Sequence, residues 1–480
     1  MRSGIGETIE SYVPARLDRM PWSSWHWLIV LSLGATWILD GLEVTLAGSL
    51  SGTLTRSETL NLGAIQVGAS ATCYLIGAVL GALFFGYGTD RFGRKKLFFI
   101  TVAVYLIGTA LSAFSWNFWS YALFRAITGA GIGGEYAAIN SAIDELIPAR
   151  VRGRVGLTIN GSYWVGAALG SGATVFLLDP AQVPIWLGWR LAFGIGATLG
   201  LIVIFFRRWI PESPRWLMIH GRNAEAEKIV DEVEQKIWRS AVIDRRYSDS
   251  PPTRIHTRTH TPWLEIWNAI AHQHRRRSFL GFVLMSTQAF FYNAIFFTYA
   301  LVLLRFYHVP EHRVGVYLLP FAAGNFLGPL VLGYLFDTIG RREMITATYG
   351  ISGILLALTA WLFHVGLLSA QTQTVAWTII FFIASAAASS AYLTVSEIFP
   401  LEIRAFAIAI FYAIGTLVGG VFAPLLFGWI IQTGSSNKLV AGYMVAGVLM
   451  ILGAMVEAWI GVPAERRPLE HVAAPLSSRD

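Results

Sequence analysis

The sequence is poor in charge and almost without cysteine. Only 14% of the 480 residues are Asp, Glu, Lys or Arg, against about a quarter in a typical soluble protein. The single cysteine, Cys73, cannot form a disulfide within the chain. These shortages exclude a soluble multidomain protein and a disulfide-stapled scaffold.

Apolar residues are abundant instead, and they are gathered in long runs. They make up 55% of the chain, and a run of roughly 20 spans the hydrocarbon core of a bilayer as a helix. Twelve such runs are centred near residues 37, 76, 106, 130, 167, 196, 291, 325, 355, 386, 418 and 450. The predicted fold class is an all-α membrane protein with twelve transmembrane helices.

Most of the 36 Lys and Arg residues fall on the N-terminal segment, on alternate connections and on the C-terminal tail. This asymmetry follows the positive-inside rule, so both termini are predicted to be cytoplasmic, in a multi-pass protein of the cell membrane. The first apolar run is too long for a signal-peptide core, and no cleavage is expected. The basic residues form no single face, so no nucleic-acid partner is expected.

Two motifs occur twice. "GYGTDRFGRK" (86–95) returns as "GYLFDTIGRR" (333–342), and "ELIPARVRG" (145–153) returns as "EIFPLEIRA" (397–405). The pairs fall at matching places, which predicts two parallel six-helix halves. Parallel repeats of this kind are a transporter architecture, with the substrate site near the midplane between the halves.

The chain then divides into a cytoplasmic N-terminal segment, a first half, a cytoplasmic connecting loop, a second half and a cytoplasmic tail, at residues 1–24, 25–206, 207–277, 278–461 and 462–480. In the connecting loop, "NAEAEKIVDEVEQKIW" has the apolar spacing of an amphipathic helix, and "YSDSPPTRIHTRTH" is typical of a flexible segment. The loop histidines match no recognised ligand spacing, so no metal is expected; they are His256, His260, His272 and His274.

At these motifs the sequence resembles the major facilitator superfamily. "GYGTDRFGRKK" looks like its signature between spans two and three, and "ELIPARVRG" and "SEIFPLEIRA" are similar to its acid–proline–arginine motifs after spans four and ten. "PESPRWL" (211–217) resembles a motif that sugar porters share with niacin and organic-ion carriers. The resemblance implies twelve spans and alternating access. No cofactor is expected, and a monomer is the expected oligomeric state.

Departures from the sugar-porter pattern narrow the expected substrate. The glutamine pair of span seven reads Thr287 and Gln288, and the tryptophan position of span ten holds Tyr392. "DGLE" (40–43) is similar to a motif of organic-acid symporters, and "GIGGEY" (131–136) resembles the "GGE" of organic-acid and niacin carriers. We expect proton-coupled symport of an organic acid or sugar acid. A neutral sugar or polyol porter and a drug:proton antiporter are the alternatives.

Two acids, Asp40 and Glu43, interrupt the first apolar run. An ionised side chain near the bilayer centre costs roughly 2.5–3.5 kcal/mol on insertion scales, so both acids are expected to face the bundle interior. Residues three apart share a helical face, and Arg125 of the fourth span lies at a similar depth. We expect Arg125 to be the shared partner and Asp40 to take up the coupled proton. A static pair that holds two helices together is the alternative.

The repeated motifs place acids beside bases at the cytoplasmic ends of the spans. Such residues form ion pairs between helices while the inner face is closed, and breaking the pairs shifts the balance between two states. The alternative is that the bases only mark topology. The predicted cytoplasmic gate comprises Asp90, Arg91, Arg94, Glu145, Arg152, Glu212, Arg215, Asp337, Arg341, Glu397 and Arg404.

Substrate contacts require polar or aromatic side chains near mid-span. Motif spacing selects Asn160, Gln288, Tyr292, Asn293, Asn325 and Tyr392, for each of which a helix–helix hydrogen bond is the alternative. Glu135 is a further candidate, with bonding inside the first half as its alternative.

Other functions lack their sequence requirements. No "GxxxxGKS" motif is present for an ATP-driven pump, and the spans hold no nucleophile–base pair or metal cluster for an enzyme. A nutrient sensor built on a transporter fold is a further alternative, although such sensors usually carry a long tail and only residues 462–480 follow the last span.

Overall fold

The computed structural model describes residues 5–50, 52–237, 252–258, 260–296 and 298–478. The first half holds six spans. The first four and the sixth are Ser24–Ser49, Ala64–Phe92, Arg94–Ala113, Phe118–Leu146 and Ile185–Arg207. The fifth is made of Arg152–Gly161 continued by Tyr163–Leu177.

The second half repeats this order. The seventh span is Arg275–Phe296 continued by Tyr299–Arg305. The eleventh is Arg404–Gly415, a π-helical turn Thr416–Phe422 and Ala423–Gln432. The eighth, ninth, tenth and twelfth are Glu311–Thr338, Arg341–His364, Ala370–Glu397 and Ser436–Ile460. Each predicted centre falls inside its helix, which confirms the all-α membrane fold with twelve spans.

Ten of the spans in the described ranges are long and apolar enough to cross a membrane by length and composition. The other two are the fourth and fifth spans. The fourth carries Arg125 and Glu135, and the fifth is divided at Ser162 into two short helices. Polar and interrupted helices persist inside a bilayer only where neighbouring helices cover them. Accordingly, the charged residues of the fourth span and most of the helix Arg152–Gly161 are buried by neighbouring helices.

Glycines set the closest helix crossings of the first half. A Cβ added to Gly166 of the fifth span would lie 1.7 Å from the backbone oxygen of Ile38 in the first span, and one on Gly41 would lie 1.9 Å from the oxygen of Tyr163. Small residues let backbones approach in this way in membrane proteins. The crossing fixes the depth and rotation of the first span next to Asp40.

The halves meet on the face of the bundle that carries both ends of the described chain, here called the terminal face. The second span packs against the eleventh, and its repeat mate, the eighth, packs against the fifth. Short helices cover this face at Val13–Arg19, Ala149–Val151, Pro214–Ile219, Asn223–Ile237, Trp263–Asn268, Ala269–Gln273, Leu469–Val472 and Leu476–Ser478. A 3₁₀ turn, Thr53–Thr55, lies between the first two spans.

A two-stranded sheet joins the N-terminal segment to the connecting loop. Strand β1, Ile5–Ser11, pairs antiparallel with β2, Thr253–Arg258, with Ile9 opposite Ile255. The expected flexible segment is therefore wrong for residues 253–258, because their pairing partner lies at the far end of the sequence. The residues before 252 in that segment lie outside the described ranges.

The N-terminal segment is also held by charge. Helix Asn223–Ile237 is the expected amphipathic helix and buries Val230 and Val233. Its acidic face surrounds Arg16, whose Nη2 lies 2.6 Å from Glu234 Oε2 and whose guanidinium also pairs with Asp231. Burial alone would lower the pKa of Arg16, but these carboxylates outweigh it and raise the pKa.

We expect Gly166→Leu to lower the melting temperature of the detergent-purified protein by several degrees, because overpacking at a closed crossing costs about 1–3 kcal/mol. Gly172→Leu is the matched control, since a Cβ at Gly172 of the same span meets no atom within 4 Å. Equal melting temperatures for the two variants would contradict the close packing of the first and fifth spans at Gly166.

Candidate transport pathway

Two aspartates of the repeated motif bridge the halves at the terminal face. Asp90 of the second span accepts hydrogen bonds from the backbone N–H groups of Ala405 and Phe406, at 3.2 and 2.9 Å, at the start of the eleventh span. Asp337 of the eighth span accepts two from the start of the fifth, at 2.9 and 2.8 Å. Each carboxylate satisfies the free N–H groups and the positive end of a helix in the other half.

Ion pairs surround the first of these bridges. Arg94 Nη2 lies 2.8 Å from Glu145 Oε1 and 3.2 Å from Asp90 Oδ1. Arg404 of the second half approaches the same Glu145 oxygen at 3.6 Å. Glu145 thus receives one arginine from each half.

The second half repeats the arrangement. Arg341 pairs with Glu397 at 3.0 Å and with Asp337 at 2.8 Å. Arg152 of the first half reaches Glu397 at 3.6 Å. The predicted gate residues therefore come together as two related clusters, each containing one arginine from the opposite half.

The N-terminal helix and the C-terminal tail each contribute to these clusters an acidic residue that was not predicted from the sequence. Arg215 donates to Glu470 of the C-terminal tail at 2.8 Å and to Asp18 of the N-terminal helix at 3.1 Å, and Arg152 also donates to Asp18 at 3.3 Å. Burial opposes ionisation of Glu470, but the Arg215 guanidinium outweighs it and holds the pKa of Glu470 below its usual value. No motif marks these acids, so only the fold reveals them.

Two predicted gate residues have other surroundings. Glu212 caps the start of the third span, where its carboxylate accepts the backbone N–H of Arg94 at 2.8 Å; its burial raises the pKa of Glu212. Arg91 is exposed and lies over the ring of Phe92, 5.4 Å from the centroid. Arg91 therefore stands outside the two clusters.

A cavity of about 260 Å³ lies between the halves. Five of the predicted substrate residues line it, namely Asn160, Gln288, Tyr292, Asn293 and Tyr392. Asn325 does not: its side chain is buried and donates to the oxygen of Phe321 at 2.8 Å. None of the charged side chains among the described residues lines the cavity.

Seven aromatic side chains that were not predicted from the sequence also line the cavity, namely Trp37, Tyr74, Tyr136, Tyr163, Trp164, Phe296 and Tyr412. Trp37, Tyr136, Tyr392 and Tyr412 make an aromatic floor on the terminal-face side. The rings of Tyr136 and Tyr412, from opposite halves, stack with centroids 4.4 Å apart, and Trp37 meets Tyr136 edge-on at 4.5 Å. Tyrosines inside apolar runs carry no pattern that separates a cavity wall from a helix contact.

Amide groups face the cavity among these rings. Asn160 Nδ2 donates to the oxygen of Gly156 at 2.8 Å, while its Oδ1 is buried with no hydrogen-bond partner within the described ranges. Asn293 Nδ2 donates to the oxygen of Ala289 at 2.7 Å. A buried, unpartnered acceptor is unfavourable until something bonds it, so Asn160 can receive a donor from a bound solute.

Beside the cavity, one face of the first span carries Thr36, Asp40 and Glu43. Arg125 of the fourth span forms an ion pair with Glu43 and lies over the ring of Tyr74. Both oxygens of Asp40 are buried and have no hydrogen-bond partner in the part of the chain that the structure describes. Within the described ranges, Glu43 is therefore the one acid bonded to Arg125, and the expected second bond to Asp40 is not formed.

Glu135 also differs from its expected place. It is buried away from the cavity and pairs with Arg207 at the end of the sixth span. Arg207 Nη2 donates to Thr36 Oγ1 at 2.8 Å. The sequence placed Arg207 in the connecting loop, because the apolar run ends just before it. The alternative given for Glu135, bonding inside the first half, is the arrangement found.

Two six-helix halves around a central cavity, closed on one face by paired charges, define a polytopic membrane transporter. The model of the sugar (and other) transporter family matches residues 47–474, and the chain belongs to that family. Its members are transporters of the major facilitator superfamily, which confirms the predicted superfamily and the prediction that the protein is not an enzyme.

Relatives carry different solutes. The chain is 27% identical over 414 residues to the niacin transporter NiaP of Acinetobacter baylyi, covering 86% of this chain and 89% of that one. It is 27% identical over 453 residues to myo-inositol transporter 2 of Schizosaccharomyces pombe, covering 89% and 78%. The solved structure of the proton:xylose symporter XylE with 6-bromo-6-deoxy-D-glucose has the same fold, with a TM-score of 0.72, 20% identity and coverage of 94% and 98%.

We expect Asp90→Asn to open the terminal face, because an amide keeps one acceptor oxygen for two backbone N–H groups and loses the charge that attracts Arg94. Spin labels at Lys96→Cys and Glu343→Cys, in a Cys73→Ser background, would report a longer distance between the halves. Asp179→Asn, in a loop on the opposite face, is the control. An unchanged distance distribution in Asp90→Asn would show that the bridge does not hold the face closed.

Proposed function

We propose that this transporter couples proton movement to the symport of a small organic acid by alternating access. The terminal face is closed by bonds between the halves, and the cavity lies between them. Rocking of the halves would exchange the side from which the cavity is reached. The gate clusters then set the balance between the two states.

Asp40 carries the coupled proton. An ionised carboxylate needs hydrogen bonds or an opposite charge when it is buried, and the Asp40 oxygens have neither bond among the described residues. The neutral, protonated acid suits this environment. Glu43 stays ionised against Arg125, so the ion pair is the fixed member and Asp40 is the changing one. The proposal rests on the observation that Asp40 is buried without a bonded partner among the described residues.

The cavity suits a small, flat acid. Aromatic faces stack on a planar ring, and the amides of Gln288 and Asn293, each of which uses one N–H in its own helix, offer the other N–H to a carboxylate without a fixed positive charge. Asn160 Oδ1 accepts a donor from the solute. An acid that enters together with one proton brings no net charge into such a site. The niacin transporter among the relatives carries a solute of this class.

A neutral sugar or polyol is the second candidate. The absence of charge among the described lining residues favours a solute bound by hydrogen bonds alone, and a myo-inositol transporter is among the relatives. Both candidate solutes would be coupled to the proton carried by Asp40. They differ only in the bonds that they would make in the cavity.

We assign the terminal face to the cytoplasmic side of a cell membrane. Most basic residues of the connections lie on that side, in line with the positive-inside rule. Both termini are then cytoplasmic, and the clusters form a cytoplasmic gate. The unit of transport is a single chain, since one chain supplies the cavity, the gate and the buried acids.

In proteoliposomes, Asp40→Asn should abolish solute accumulation driven by a pH gradient and keep solute exchange within about threefold of wild type, because exchange needs no net proton transfer. Radiolabelled nicotinate and myo-inositol serve as the two test solutes, and Asp179→Asn is the control. Accumulation at the wild-type level in Asp40→Asn would refute the assignment.

A thermal-shift screen of the purified protein against organic acids, sugars and polyols separates the two candidate solutes. Stabilisation by flat acids supports the first candidate, and stabilisation by polyols alone supports the second. For the solute found, Asn160→Ala should weaken binding at least fivefold, as loss of a buried hydrogen bond costs about 1–3 kcal/mol. Asn325→Ala, outside the cavity, should leave the binding constant unchanged. If the two variants weaken binding equally, the assignment of Asn160 to the binding cavity is wrong.

A further inference from the structure

A second buried ion pair lies on the terminal-face side of Asp40. Arg207 contacts Glu135, and its Nη2 donates to Thr36 Oγ1 at 2.8 Å. Both charged side chains are only 1% exposed. Thr36 lies four residues before Asp40, on the same face of the first span and one turn away. The guanidinium is therefore about one helical turn from an acid that has no bonded partner.

The buried charges of this region do not cancel. Three carboxylates (Asp40, Glu43 and Glu135) face two guanidinium groups (Arg125 and Arg207), so full ionisation would leave one negative charge. One added proton makes the group neutral, which the low-dielectric interior favours. The other titratable groups that act on Asp40 are phenols, which are neutral near pH 7; they are Tyr74, Tyr105, Tyr136, Tyr163 and Tyr412.

Arg207 is bonded to one of these acids and acts electrostatically on another. It pairs with Glu135, and its charge also acts on Asp40. It is the last residue of the sixth span, and the short segment after it leads to Glu212 and Arg215 of the terminal-face clusters. The guanidinium is therefore connected to those clusters by a short stretch of backbone.

We propose that Arg207 is the switchable countercharge of Asp40 and that Glu135 competes for it, so that the buried group exchanges one proton in each transport cycle. Arg207 and Glu135 are positioning residues in this account. While Glu135 holds Arg207, Asp40 keeps its proton. When Arg207 turns to Asp40, the proton passes from Asp40 to the freed Glu135 carboxylate, and from there to water as the terminal face opens. The inference rests on the proposed role of Asp40.

Neutralising Glu135 and neutralising Arg207 should shift the titration of Asp40 in opposite directions. Infrared spectroscopy of the purified protein identifies the protonated-carboxyl band of Asp40 as the one lost in Asp40→Asn. Glu135→Gln frees Arg207 to pair with Asp40, so the pH at which this band is half lost should fall by at least one unit. Arg207→Gln removes the countercharge, so that pH should rise by at least one unit. Arg190→Gln, in the same span and away from the acids, should leave it unchanged.

The field of a static ion pair would shift the titration in the same two directions, so the switch itself is tested in Asp90→Asn, which should open the terminal face. In that variant the half-loss pH of the Asp40 band should fall relative to wild type, and an unchanged half-loss pH would overturn the inference. If Glu135→Gln does not fold, Glu135→Asp keeps the charge and withdraws the carboxylate by one methylene; it should move the half-loss pH downward by a smaller amount, and an upward shift would count against the inference. Retention of the whole band in Asp40→Asn would instead refute the proposed proton carrier itself.

Discussion

Ionised groups inside a membrane protein are stabilised only by opposite charges and hydrogen bonds, because the surroundings cannot solvate them. The first half obeys this constraint with two arginine–carboxylate pairs, Arg125 with Glu43 and Arg207 with Glu135. Asp40 lies between the pairs without a bonded partner among the described residues. The proposed coupling follows from that imbalance, since a single proton neutralises the group.

In the proposed mechanism, the same constraint links the terminal-face clusters to the buried acids. Acids at the terminal face accept N–H groups from helices of the opposite half, so the face stays closed while those helix starts are in place. The sixth span carries Arg207 at its end and continues into the loop of Glu212 and Arg215. In the proposed cycle, opening of the face and release of the proton are therefore coupled through this segment.

The sequence was sufficient for the architecture because long apolar runs and a doubled motif report helices and repeats directly. It also identified Glu43 and Arg125, since charges inside an apolar run are conspicuous. It missed Arg207, which looks like the first residue of a loop, and it missed Asp18 and Glu470, whose partners lie far away in the chain. The sheet between residues 5–11 and 253–258 was missed for the same reason. Such contacts depend on how distant segments meet, and no local pattern encodes them.

The number of protons that move with each solute molecule is the sharpest test of single-proton coupling by Asp40. In proteoliposomes whose membrane potential is held at zero, the solute gradient that stops net solute flux at a fixed pH gradient gives this ratio. The account predicts one proton per solute molecule, because one proton neutralises three buried carboxylates and two guanidinium groups. A ratio of zero would contradict proton coupling, and a ratio of two would contradict the single-proton cluster.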